Sequence, residues 1–218
     1  MPIFRDAVCG VMSAALLALS APAFADDVTA AVLALENRWV DIRYHTPDKT
    51  RKIEGGRVLA EDAAKLAAQH PGRAEPLVWQ AMGLLIEGEV TRDLGSLKTV
   101  ERAKALLEKA EALDPAGVNG LVHTTLGTLY YEVPGWPIAF GDNKKATAYL
   151  KKALEIDPEG MDSNYFYGDY LLQRGRGREG LPYLEKAIQA PLRPGHEAAD
   201  KFRKLDIQEA LDKARKAR

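Results

Sequence analysis

The most constraining feature of this sequence is a helical pattern that occurs twice and ends each time in Asp-Pro. Residues 101–115 read ERAKALLEKAEALDP, and residues 144–158 read KKATAYLKKALEIDP. Apolar side chains recur in both at spacings of three and four, which places them on one helical face. The proline ends each helix, because it has no amide proton to donate and disfavours helix in the preceding residue. A third segment, 179–191, follows the same scheme.

A second kind of helix precedes each of these, and it carries a glycine among large apolar residues. The three glycines are Gly83, Gly127 and Gly168. Glycine inside a helix costs about 1 kcal/mol relative to alanine. Three glycines at equivalent places therefore predict that a paired helix packs closely against each of them.

The alternation of the two helix types predicts an all-α fold of stacked helix–turn–helix repeats, since no alternating strand pattern appears. Residue Asp27 is expected to cap a first helix over residues 28–44. No linker or low-complexity segment interrupts residues 26–218, which we treat as one domain. The predicted repeat units lie at about 27–71, 75–115, 119–158 and 162–191, and a capping helix follows at 196–217. The connections inside the second and third units are longer than that inside the fourth.

The N-terminus has the three-part layout of a secretory signal peptide. A short start with Arg5 precedes an uncharged apolar run over residues 7–19, and small residues then lead to Ala25. Cleavage is predicted after Ala25, which removes residues 1–25 and leaves a periplasmic chain with no membrane span. The alternative, a retained membrane anchor, is disfavoured, because a membrane-spanning helix needs about 20 apolar residues and this run has 13. Cleavage also removes Cys9, the only cysteine, and a cysteine-free chain suits an oxidising compartment.

Charge and reactive side chains argue against several classes of function. The chain has 30 basic and 31 acidic residues, a balance that does not favour nucleic-acid binding. Its four histidines are not at metal-ligand spacing, and no nucleophile motif occurs. The glycine-rich stretch 175–180 follows a helix, whereas a dinucleotide site requires a preceding strand. We therefore expect neither catalysis nor a cofactor or metal.

Aromatic residues are concentrated in one part of the chain, with nine of them between residues 130 and 170. The long connection 132–142, EVPGWPIAFGD, contains Trp136 and Phe140 and is stiffened by two prolines. Two hypotheses remain open for it: a plug that folds back over the helices, or a loop that presents its rings to a partner. Aromatic anchors beside a few polar groups are typical of binding surfaces. The candidate contact residues are Tyr131, Trp136, Phe140, Asn164, Asp169 and Tyr170.

This arrangement resembles the tetratricopeptide repeat, a helix–turn–helix unit with its own pattern of tryptophan, glycine, alanine and proline positions. The resemblance implies a solenoid whose first helices form a concave inner surface suited to a protein or peptide. Together with the predicted signal peptide, this leads us to expect a non-catalytic protein-binding role in the periplasm. The matching residues are Trp79, Gly83, Ala103, Ala110 and Pro115, then Leu126, Gly127, Tyr130, Ala146, Ala153 and Pro158, then Tyr167, Gly168, Leu184 and Ala187.

The signal peptide, the helical hairpins and the aromatic insertion are also similar to the T component of tripartite ATP-independent periplasmic transporters. That resemblance spans most of residues 75–195 and implies an alternative function. The chain would then be an accessory subunit of a transport system that binds a small apolar molecule.

Overall fold

The computed structural model describes residues 27–216, and the predicted signal peptide, residues 1–25, lies outside this range. Within the described range the chain forms nine α-helices and no strand, which confirms the predicted all-α helical repeat. None of these helices is long and apolar enough to span a membrane. The helices are α1 (Asp27–Val40), α2 (Lys49–Gln69), α3 (Glu75–Thr91), α4 (Leu97–Leu113), α5 (Leu121–Glu132), α6 (Asn143–Ile156), α7 (Met161–Gln173), α8 (Gly177–Gln189) and α9 (Glu197–Lys216).

Neighbouring helices pack as hairpins, and glycine lets three of them approach closely. A Cβ atom at Gly83 would lie 2.6 Å from the carbonyl oxygen of Gly56, so α3 and α2 meet backbone to backbone. At Gly127 and Gly168 a Cβ atom would lie 2.6 Å and 2.8 Å from leucine side chains of α6 and α8. The predicted close approach is confirmed at all three positions. At Gly83 the partner is the preceding helix α2.

The helix ends follow the local sequence. The helices α4 and α6 end at Leu113 and Ile156, directly before their Asp-Pro pairs, as predicted. The carboxylate of Asp142 accepts hydrogen bonds from the amides of Lys144 and Lys145, at 2.8 Å and 3.2 Å. Such a cap satisfies amides that have no partner within the helix. The first turn of α6, and the connection before it, are therefore held in place.

The first helix differs from its prediction. A regular helix was expected over residues 28–44, but the α-helix ends at Val40 and a π-helical turn follows over Asp41–His45. Two side chains of this turn contact other helices. The guanidinium of Arg43 bonds to Glu89 of α3, and Tyr44 stacks on Phe202 of α9. These contacts join residues that lie far apart in sequence, and they stabilise the π-helical turn.

The stack closes on itself. The last described helix, α9, packs against α8 and α7, and it also contacts α1, the first helix of the described range. Further contacts join α1 to α3, α4 to α5, and α5 to α7. The helix α9 contacts both ends of the stack, because one of its faces packs on the last hairpin and another contacts α1 and its π-helical turn.

Candidate functional site

The connection between α5 and α6, residues 133–142, is called the aromatic loop below. Its two ends are joined by backbone contacts, since the amide of Gly141 donates to the carbonyl oxygen of Pro134 at 2.9 Å. Residues Gly135 and Gly141 also pair as an isolated bridge. A Cβ atom at Gly141 would lie 2.0 Å from the carbonyl oxygen of Val133, so this crossing needs a glycine. The loop is consequently closed at its base.

The side chain of Phe140 points from the loop into the protein. Its ring meets the buried ring of Tyr130 edge to face, with 5.7 Å between centroids. The ammonium of Lys104, from α4, lies 5.5 Å from the Phe140 ring. Contacts with two helices therefore anchor the loop, and this half of it acts as the plug considered above.

The tip of the loop carries apolar side chains in solvent. Residue Trp136 is 89% exposed and Ile138 is 60% exposed. Single exposed apolar residues are ordinary, but here two large apolar side chains, two residues apart in sequence, are exposed on one anchored loop. Within the loop, Phe140 packs inward, whereas Trp136 and Ile138 are exposed to solvent.

Three further predicted residues lie together where α5 and α7 meet. The hydroxyl of Tyr131 donates to Asp169 at 3.1 Å, and Gln173 donates to the same carboxylate oxygen at 2.8 Å. Burial raises the pKa of Asp169, and burial together with that carboxylate raises the pKa of Tyr131 well above its ordinary value. The ring of Tyr170 lies 5.3 Å from that of Tyr131, and its hydroxyl bonds to Thr147 at 2.9 Å. The side chains of Tyr131, Asp169 and Tyr170 therefore make hydrogen bonds to other residues of the protein.

The remaining predicted residue, Asn164, is fully buried. Its side-chain amide donates to the carbonyl oxygens of Pro158 and Gly160, at 2.9 Å and 2.8 Å. These bonds stabilise the turn between α6 and α7. The structure therefore gives Asn164 a role in the turn between two repeats.

A cluster of charged side chains on α7 and α9 was not anticipated from the sequence. The guanidinium of Arg203 donates to Asp162 at 2.7 Å and to Asp206 at 3.0 Å, and it lies 4.7 Å from the Phe166 ring. Burial would raise the pKa of Asp162, but the positive charges of Arg203 and Arg193 outweigh burial and lower it. Charged residues in amphipathic helices are common, so no local signal marked this cluster.

A shallow cavity of about 280 Å³ lies between α1 and α2. Apolar side chains, including Ala31, Leu35 and Leu66, form most of its wall, and Arg38 and Asp62 lie at its edge. None of the residues predicted to bind a partner or ligand lines this cavity. It is therefore separate from the aromatic loop.

Comparison with known proteins gives one family match. A protein-family profile described as "Tetratricopeptide repeat" matches residues 138–159, which comprise the second half of the aromatic loop, all of α6 and the turn that follows. No curated protein matches the chain. Tetratricopeptide repeats typically bind protein partners and are generally non-enzymatic. The matched segment and the stacked helical hairpins are both similar to tetratricopeptide repeats.

Proposed function

We propose that this protein is an exported, non-catalytic scaffold that binds a protein partner in the periplasm through the tip of the aromatic loop. The observation that carries the proposal is the position of Trp136, which is 89% exposed on a loop whose base is closed and anchored. The family match overlaps this loop, and tetratricopeptide repeats typically bind proteins. Export is proposed from the layout of residues 1–25.

Binding to a partner would bury the exposed indole of Trp136. Tryptophan is among the residues most often found at the energetic centre of protein interfaces, because it buries a large apolar area with little loss of rotamer freedom. The closed base of the loop reduces the ordering cost that a flexible loop would incur on binding. The apolar neighbour Ile138 extends the surface that a partner would cover. The small-molecule alternative has no comparable support, because the predicted residues do not line the α1–α2 cavity.

Replacing Trp136 by alanine should weaken partner binding by about 2–4 kcal/mol, or roughly 30-fold or more, as expected for truncation of an interface hot spot. The free energy of unfolding should change by only about 0.5 kcal/mol or less, because the indole is in solvent. Immobilised wild-type and W136A proteins would be incubated with the same periplasmic extract, and retained proteins quantified by mass spectrometry. Circular dichroism would compare their melting temperatures.

Two further variants serve as controls. Trp136→Phe keeps an aromatic ring and should retain much of the binding. Leu205→Ala removes another exposed apolar side chain, which is 65% exposed on α9, and this variant should bind as wild type does. If W136A retains the same proteins as wild type, or if it unfolds, the indole is not a partner contact and the proposal fails.

Export predicts a specific mature chain. Protein recovered from the periplasm should begin at Asp26 and lack Cys9, so its intact mass should correspond to residues 26–218 and a thiol-reactive reagent should not modify it. Subcellular fractionation and intact-mass measurement test this directly. A chain that retains residues 1–25 and stays with the cytosolic fraction would contradict it.

A further inference from the structure

We propose that the seam between α1 and α9 is a gate, which opens reversibly while α9 stays attached to α8. The seam is defined as the contacts of residues 27–45, which are α1 and its π-helical turn, with residues 193–206, which are the start of α9 and the connection before it. This inference is independent of the partner-binding proposal, because it concerns neither the aromatic loop nor its ligand.

The seam is held mainly by one aromatic stack and by polar contacts. The ring of Tyr44 stacks on that of Phe202 with 4.4 Å between centroids and 12° between planes. The hydroxyl of Tyr44 donates to Asp206 at 2.8 Å, and Arg43 lies 3.7 Å from the same carboxylate. At the start of α9, a ring nitrogen of His196 lies 2.6 Å from the Glu36 carboxylate. Most of these polar groups remain partly accessible to water.

The opposite face of α9 is different in character. It packs on α8 through buried aliphatic residues, and these form one cluster with the core of the last hairpin. On the seam side, only Ala199 and Phe202 of α9 join the apolar cluster around Trp39, and both are partly buried. The α9 residues of the last-hairpin cluster are Ile207, Ala210, Leu211 and Ala214.

The difference between the two faces of α9 determines which of its contacts, that with α1 or that with α8, breaks first. Apolar burial dominates the stability of packed helices, whereas smaller and more polar contacts are typical of surfaces that separate and rejoin. Partly exposed ion pairs also weaken as salt screens them. Opening would therefore occur at the seam and would leave α9 on the last hairpin. It would expose the rings of Trp39, Tyr44 and Phe202, which contact one another at the seam.

Distance measurement across the seam tests the gate. Cysteines would replace Asn37 on α1 and Lys201 on α9, two exposed positions, in a full chain that also carries Cys9→Ser. Spin labels on these cysteines would be examined by double electron–electron resonance. At low salt we expect one narrow distance distribution. At about 1 M sodium chloride, where the screening length falls to about 3 Å, we expect a second, longer population.

Removing the aromatic stack should have the same effect without salt. At low salt, Phe202→Ala should show the longer distance in about a tenth of the molecules or more. This fraction is at or above the upper end of the range that is typical of a minor conformer. Leu205 also lies in the range 193–206, but its side chain is 65% exposed and is not among the seam contacts described above. Leu205→Ala should therefore give the wild-type distribution. Circular dichroism should show unchanged helix content in both variants.

Tryptophan fluorescence gives a second measurement that needs no label. In a Trp136→Phe chain the remaining tryptophans are Trp39 and Trp79, which are 8% and 5% exposed. Acrylamide quenching should increase with sodium chloride if the seam opens. The proposal is overturned if the distance stays single and quenching stays constant at both salt concentrations and in Phe202→Ala. It is equally overturned if Phe202→Ala loses its helical signal, because the seam would then belong to the folding core.

Discussion

An Arg203→Ala chain is expected to lose about 3–5 kcal/mol of its free energy of unfolding, the usual cost of removing one partner from a buried ion pair. The side chain of Arg203 is only 13% exposed, and its guanidinium bridges Asp162 and Asp206. Without it, Asp162 keeps its burial but loses its strongest compensating charge. The apolar contact with the Phe166 ring is lost as well. Denaturant unfolding measures this loss, which for a chain of this size corresponds to a melting temperature lower by roughly 6–20 °C.

The loss of stability in the Arg203→Ala chain should depend on pH in a defined direction. The pKa of Asp162 in the folded protein lies below its ordinary value, so this carboxylate stabilises the fold at neutral pH and loses that contribution as pH falls through the acid range. The difference between wild type and R203A should therefore shrink in acid. Arg178→Ala, at an exposed position on α8, is the matched control and should change stability by about 0.5 kcal/mol or less. Equal stability of R203A and wild type at neutral pH would contradict the role of the cluster.

Replacing Leu150 by alanine should cost about 3–5 kcal/mol, as a fully buried leucine typically does. Its side chain fills the space above Gly127, where a Cβ atom would lie 2.6 Å from the leucine Cγ. It also belongs to the cluster that contains Tyr130, on which Phe140 packs. The substitution should therefore lower the melting temperature and also loosen the aromatic loop.

Thermal unfolding and amide hydrogen exchange measure both consequences. Exchange should rise for the amide of Asp142, which donates to the carbonyl oxygen of Tyr130 across the base of the loop. Leu113→Ala, at a leucine that is 41% exposed at the end of α4, is the control and should change stability much less. If the two variants are equally stable, Leu150 is not part of the core that supports the loop.

The sequence predicted those parts of the structure that depend on local patterns. The apolar period and the Asp-Pro pairs located α4 and α6, because helix periodicity and proline act within a few residues. Glycine in a helix is unfavourable unless space is limited, so Gly83 correctly indicated close packing. The cap at Asp142 is equally local, because its carboxylate accepts from amides two and three residues further along the chain.

The features that the sequence did not predict depend on contacts between residues far apart in the chain. The opposite directions of Trp136 and Phe140 were not predictable, since Tyr130 and Lys104 receive only one of these two rings. The burial of Asn164 arose because the neighbouring turn uses its amide. The stack of Tyr44 on a ring of α9 joins the two ends of the described chain, and no sequence period connects such distant positions.

Photocrosslinking in living cells tests most directly whether Trp136 contacts a protein partner. A photoreactive amino acid would replace Trp136 in one chain and Leu113 in a control chain, where the side chain is also exposed but lies outside the loop. Irradiation should join the chain carrying the group at position 136 to one protein, giving an adduct of defined mass in the periplasmic fraction. The control should give no such adduct. No protein adduct at position 136, or the same adduct from both positions, would contradict the proposed role of the loop.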